Sequence, residues 1–172
     1  MTRYIALLRG VNVGGVNLKM AEVAAAMEAA GFSEVRTVLA SGNVLLDSTS
    51  TAAKVRTAAE RALRDAFGYE AWVLVYDLAT LQKISQGYPF EREVPDHHSY
   101  VTFVSDAELL DELAALSPGH GEKVQRGDGV LYWQVRRAAT LDSTIGKTMG
   151  KKRYKSSTTT RNLRTVDKLL KP

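Results

Sequence analysis

The sequence predicts an α+β fold of two βαββαβ subdomains with antiparallel sheets, arranged as a duplication. Three observations predict it. Over residues 3–76, short apolar or alternating runs and longer stretches of helical spacing follow one another as strand, helix, strand, strand, helix, strand. The same order begins again near Tyr100, after a connector that contains Pro89 and Pro95. Each half also carries a Gly-containing turn between two strand-like runs, Ser41-Gly42-Asn43 in the first and Gly127-Asp128-Gly129 in the second. This element order is the split-βαβ, ferredoxin-like plan.

Residues 3–9 read as a buried strand. Met20, Val23, Ala24, Met27 and Ala30 then fall on one helical face, and Gly31 is a natural stop. Residues 35–39 and 43–46 make two strands around the Ser-Gly-Asn turn. Val55, Ala59, Ala62, Leu63 and Ala66 form a second helical face that ends at Gly68, and residues 71–76 are the fourth strand. Asp77 caps a short helix with Leu78, Leu81 and Ile84 on its apolar side. In the second half, residues 100–104 form a strand. Ser105 and Glu108 have the spacing of a capping box, and Pro118-Gly119 ends the helix. A hairpin follows, and residues 141–150 read as a short helix. The terminal helix spans 162–171, with Thr159 or Thr160 as its cap and Arg161 in its first turn. The last strand of this half has no clear place. Expected boundaries are an N-terminal subdomain over 1–77, a helix and connector over 78–97, and a C-terminal subdomain over 98–172.

The composition, 45% hydrophobic and 24% charged, is that of an ordinary globular protein. No apolar run is long enough to span a bilayer, and the N-terminus lacks the pattern of a secretory signal. There is no Cys, which excludes a disulfide framework, a thiolate metal site and a Cys nucleophile. A cytoplasmic protein with no membrane partner is expected. Residues 1–120 carry 10 Lys/Arg against 15 Asp/Glu, a balance of −5, whereas residues 121–172 carry 13 against 4, a balance of +9. Such asymmetry points to an anionic partner for the basic end, although basic residues are also an ordinary solubilising surface.

The unusual stretch is RGVNVGGVNLKM, residues 9–20. In βαββαβ the third strand lies between the first and second, antiparallel to both, so Arg9 and Asn12 should meet Ser41, Gly42 and Asn43. Gly14 and Gly15 allow inward-turned N–H groups, an anion-holding concavity. The helix beginning near Lys19 adds a positive dipole end. Arg9 offers a planar fork and Lys19 a point charge. The loop holds no Asp, Glu, His, Ser or Cys, so it offers binding chemistry rather than a base or nucleophile. The competing explanation is that Asn and Gly are common turn residues, with Asn17 a simple cap.

Other motifs are weaker. The run IGKTMGKKRYK resembles the tail of a phosphate-binding loop, but Leu141 occupies the position that requires Gly, and GxGxxG is absent. No cofactor is expected. Lys147, Lys151, Lys152, Arg153 and Lys155 form a basic run suited to nucleic acid. His97 and His98 are neighbours that a strand would point to opposite faces, and His120 lies between glycines, so no metal site is expected. Trp72 and Trp133 are expected in packing roles. Tyr4 and Tyr132 are weak candidates for stacking on bases.

The RGVNVGG, ASGNV and TTRN segments together resemble the bacterial domain of unknown function family 1697. The resemblance runs from Arg3 to Leu170, with motif matches at Arg9, Gly10, Asn12, Gly14, Gly15, Ser41, Gly42, Asn43, Thr160, Arg161 and Asn162. It implies a duplicated ferredoxin-like architecture and carries fold and motif positions only, since no biochemical activity comes with the family. Leu163 departs from the aromatic usual after TTRN. The expected function is binding of an anionic ligand between the halves by Arg9, Asn12, Gly14, Gly15, Lys19, Ser41, Asn43 and Arg161, with nucleic acid first. The alternatives are an enzyme on a small phosphorylated or carboxylated metabolite, with Ser41 its only nucleophile, and a purely structural role for the motifs. The chain is expected as a monomer or weak dimer.

Overall fold

The computed structural model describes residues 1–9, 18–38, 42–116, 118–119, 121–137, 147–148, 151, 154 and 157–171. The chain divides into two compact units, Met1–Leu81 and Gln82–Pro172.

In the first unit, β1 (Thr2–Arg9), α1 (Met20–Ala29), β2 (Ser33–Val38), β3 (Asn43–Ser48), α2 (Ala52–Phe67) and β4 (Trp72–Asp77) follow in order. The sheet order is β2-β3-β1-β4, antiparallel throughout. Alternation along β1 puts Tyr4, Ala6 and Leu8 on one face, where they join Val44 and Leu46 of β3. That layer packs on Val23 and Met27 of α1 and on Val55, Ala59 and Leu63 of α2, residues spaced by three or four along each helix. Gly68 ends α2 with φ of 65°, a left-handed conformation that glycine adopts without steric cost. Glu60 on α2 accepts the N–H of Val73 in edge strand β4 at 3.0 Å and an Arg56 contact at 3.5 Å. The Asp77 carboxylate accepts from the N–H of Thr80 at 2.7 Å, the cap that the sequence predicts for α3 (Leu78–Gln86).

The second unit repeats the plan with β5 (His97–Val104), α4 (Ala107–Ala114), β6 (Lys123–Arg126), β7 (Val130–Arg136), β8 (Thr158–Asn162) and α5 (Leu163–Leu169). Its sheet order is β6-β7-β5-β8, the same sequence-relative arrangement as in the first unit. Both units thus have the expected α+β, duplicated, ferredoxin-like topology. Leu131, Trp133 and Val135 of β7 meet Leu109, Leu110 and Leu113 of α4, and Tyr154 is buried in the same core. The opposite face of β7 is covered by the last turn of α3 and the segment after it. Tyr132 Oη donates to the carbonyl of Ile84 at 2.7 Å, and Gln134 Nε2 donates to that of Glu91 at 2.8 Å. Residues 82–97 therefore pack as part of this unit.

Several local expectations change. The segment TTTRN is a strand, β8, and it is the element that the sequence left unplaced. It pairs with β5 in the register Thr102↔Thr160. β-Branched Thr suits a pleated surface, and two Thr hydroxyls opposite one another can bond across it. The cap of α5 is therefore not Thr159 or Thr160 but Asn162, whose Oδ1 accepts from the N–H of Arg164 at 2.9 Å. Arg161 lies in the strand rather than in a helical first turn, so no dipole conflict arises. The cap of α4 is Asp106 rather than Ser105, because its carboxylate reaches the N–H groups of Glu108 and Leu109 at 2.9 and 3.2 Å. Of the short helix expected over 141–150, only Lys147 and Thr148 are described, and both are helical. Among the described residues no helix is long and apolar enough to cross a membrane.

Candidate functional site

The first-unit motifs meet through the sheet ladder. β1 and β3 pair Leu7 with Asn43, and the N–H of Leu8 donates to the carbonyl of Gly42 at 2.8 Å. Arg9, the next residue, is half-buried at the end of β1 and pairs across β4 with Trp72. Burial pushes its guanidinium pKa below the ordinary value. Asn43 is fully buried, and its amide donates to the carbonyl of Val38 at 3.0 Å, closing the turn between β2 and β3. Lys19 is exposed at the N-cap of α1, with its carbonyl accepting the N–H groups of Glu22 and Val23. Its side chain makes no capping bond. Gly10, Asn12, Gly14, Gly15 and Ser41 lie outside the described residues, as do Asn17 and His120.

The second-unit motif is engaged in its own strand. Arg161 is 8% exposed and donates to Thr159 Oγ1 at 2.6 Å and to the carbonyl of Thr160 at 3.1 Å. Thr160 Oγ1 shares a 2.8 Å hydrogen bond with Thr102 Oγ1, which in turn accepts from the indole N–H of Trp133 at 2.9 Å. Thr158 Oγ1 donates to the carbonyl of Tyr154 at 2.8 Å. Of the basic run, Lys147 and Lys151 are exposed, and Lys152, Arg153 and Lys155 lie outside the described residues. Tyr4 and Tyr132 are both buried, with their hydroxyls held by the carbonyls of Ser50 and Ile84, so neither presents a ring for stacking on bases. Tyr132 is instead edge-on to Tyr88 at 5.7 Å. Trp72 lies beneath the guanidinium of Arg64 at 5.0 Å.

Sequence reasoning missed a cavity in the second unit. It has a volume of about 190 Å³ and opens where β5 begins, β7 ends and β8 passes into α5. Its walls include His98, Arg137 and Arg164. The N–H of Arg137 donates to the carbonyl of Asp96 at 2.7 Å, and the Asn162 cap fixes the first turn of α5 at Arg164. The His98 ring lies 5.5 Å from that of Tyr100. Desolvation first, then the positive charges of Arg137 and Arg164, push the His98 pKa below its ordinary value. On the same wall, Arg92 grips both carboxylate oxygens of Asp167 at 2.8 and 2.7 Å, while Ser85 Oγ donates to that carboxylate at 2.5 Å. The sequence signal for this site was the excess of cations after residue 120. What it lacked was a way to bring a connector, a strand end and a helix start together.

A family model described as "Protein of unknown function (DUF1697)" matches residues 1–132. Among solved structures, the conserved bacterial protein SP0830 from Streptococcus pneumoniae is similar, with a TM-score of 0.81 and 21% sequence identity over 98% of this chain and 96% of that one. At that identity the likeness concerns the fold. No curated protein matches.

Proposed function

The chain belongs to the DUF1697 family of proteins of unknown function, and we propose that it binds an anionic ligand, with nucleic acid first among the ligand classes. The observation that supports this reading is the meeting of the end of β1, at Leu7 and Leu8 just before Arg9, with Asn43 and Gly42. Two polar motifs more than thirty residues apart reach one rim of one sheet, and the cation there is half-desolvated. A desolvated guanidinium gains more from an anion than an exposed one does, because less water competes for its donors. Lys19 adds an exposed cation at the N-terminus of α1. The Asn43 amide donates within the turn and Arg161 within β8; ligand contact is ascribed to Arg9 and Lys19. The basic excess of residues 121–172, with Lys147 and Lys151 exposed, supports a polyanion. A cytoplasmic location belongs to the same reading.

Binding of labelled single- and double-stranded DNA and RNA across a salt series tests this. If about five phosphates are neutralised, log K should fall with log salt at a slope of roughly −4 to −5 on duplex DNA. Arg9→Met should weaken binding while keeping the melting temperature. No binding at low salt, or a flat salt response, rejects nucleic acid. A large loss of melting temperature in Arg9→Met would assign Arg9 to the scaffold instead.

A further inference from the structure

We infer that the cavity of the second unit, walled by His98, Arg137 and Arg164, is a site for a small phosphate-bearing ligand, separate from the rim at Arg9. The three groups come from three different elements and converge on one concavity. Neither the Arg137 nor the Arg164 guanidinium forms an ion pair among the described residues, and both residues are exposed at the cavity wall. No acid among the described residues lies within ion-pair distance of either guanidinium. Asp167 is already held by Arg92 at 2.7 Å, which leaves Glu93 as the remaining carboxylate on the lining. His97 also lines the cavity, but its Nδ1 lies 2.8 Å from the carbonyl of Pro95.

The argument for a dianion is electrostatic. Two guanidiniums brought to one cavity with no ion-paired acid repel each other and discourage protonation of the imidazole beside them. A phosphate monoester, doubly charged near neutral pH, relieves that repulsion. It accepts from both planar forks and makes a protonated His98 favourable as a third donor. A carboxylate has one charge and two oxygens, and it satisfies fewer of these donors. The volume of about 190 Å³ admits a phosphate with a small substituent.

The test uses the full-length chain, with inorganic phosphate as the probe and acetate as the monoanion comparison. Calorimetry reads affinity, and NMR follows the His98 ring through a pH titration. Phosphate should bind more tightly than acetate and should raise the His98 titration midpoint. Arg137→Met and Arg164→Met should each weaken phosphate about tenfold, as expected for loss of one charge-assisted contact. Without any ligand, each should also raise the His98 midpoint, because a repelling charge has gone. Arg61→Met, at an exposed position on α2 of the first unit, should change neither reading. Equal affinity for phosphate and acetate, an unmoved His98 midpoint, or phosphate binding unaffected in the Arg137→Met/Arg164→Met double variant overturns the site. None of these readings involves Arg9, so failure here leaves the rim proposal standing, and failure of nucleic-acid binding leaves this one standing.

Discussion

Thr102→Val isolates what the TTTRN strand contributes to stability. Thr102 is fully buried, and its hydroxyl accepts the indole N–H of Trp133, itself 2% exposed. Valine keeps the shape of threonine and removes the acceptor. The indole donor is then left in the core without its partner, at a cost of about 1–3 kcal/mol. For a chain of this length each kcal/mol lowers the melting temperature by roughly 2–4 °C, so a mid-range loss of about 2 kcal/mol corresponds to roughly 4–8 °C. Thr160→Val should cost less, about 0.5–1.5 kcal/mol, because Thr102 Oγ1 still accepts from Trp133 when its neighbour is gone. Urea unfolding of both variants, together with Thr102→Val in a Trp133→Phe background, gives the coupling between the pair. The reasoning fails if Thr102→Val stays within about 0.5 kcal/mol of the parent, the range of an ordinary surface change. It also fails if Thr160→Val proves the more damaging substitution.

Three further outcomes are expected. A Cβ at Gly127 would stand 2.5 Å from the Tyr132 ring and 2.9 Å from Val130, both buried and unable to withdraw, so Gly127→Ala should cost about 1–3 kcal/mol in urea unfolding. A negligible loss would mean that the hairpin opens to make room. Asn43→Ala leaves the carbonyl of Val38 without its buried amide donor and should cost about 1–3 kcal/mol, readable as a drop in melting temperature with little effect on the second unit's NMR spectrum. The His98 pKa lies below its unfolded value, so the unfolded chain takes up this proton first as the solution is acidified. The contribution of His98 to stability is present above the unfolded pKa, near 6.5, and is lost as pH falls toward the folded value. His98→Gln should flatten the melting temperature between pH 7 and 5, and an unchanged slope would show that His98 is not desolvated and repelled as described.

The sequence alone determined the element order and the topology of the first unit, because both rest on local periodicity and on chain chirality. The continuous apolar run over residues 4–8 marks a buried strand, the three-to-four spacing on α1 and α2 marks their buried faces, and the split-βαβ order then allows few sheet arrangements. The meeting of Leu8 with Gly42 follows from that order, so the approach of the end of β1 to the start of β3 was legible in the sequence. The TTTRN segment was misread because Thr before a run of helical spacing signals a cap, and only pairing with β5 makes it a strand. Propensity is a local quantity, whereas a ladder partner lies 58 residues away at Thr102. The second-unit cavity is wholly a tertiary result. Arg92, His98, Arg137 and Arg164 have no common motif or spacing, and they share a wall only because β5, β7 and β8 place their ends together. Charge composition can announce that cations are in excess. Which of them lack a counterion depends on folding, because Arg92 finds Asp167 across 75 residues while Arg137 and Arg164 have no acid within ion-pair distance among the described residues.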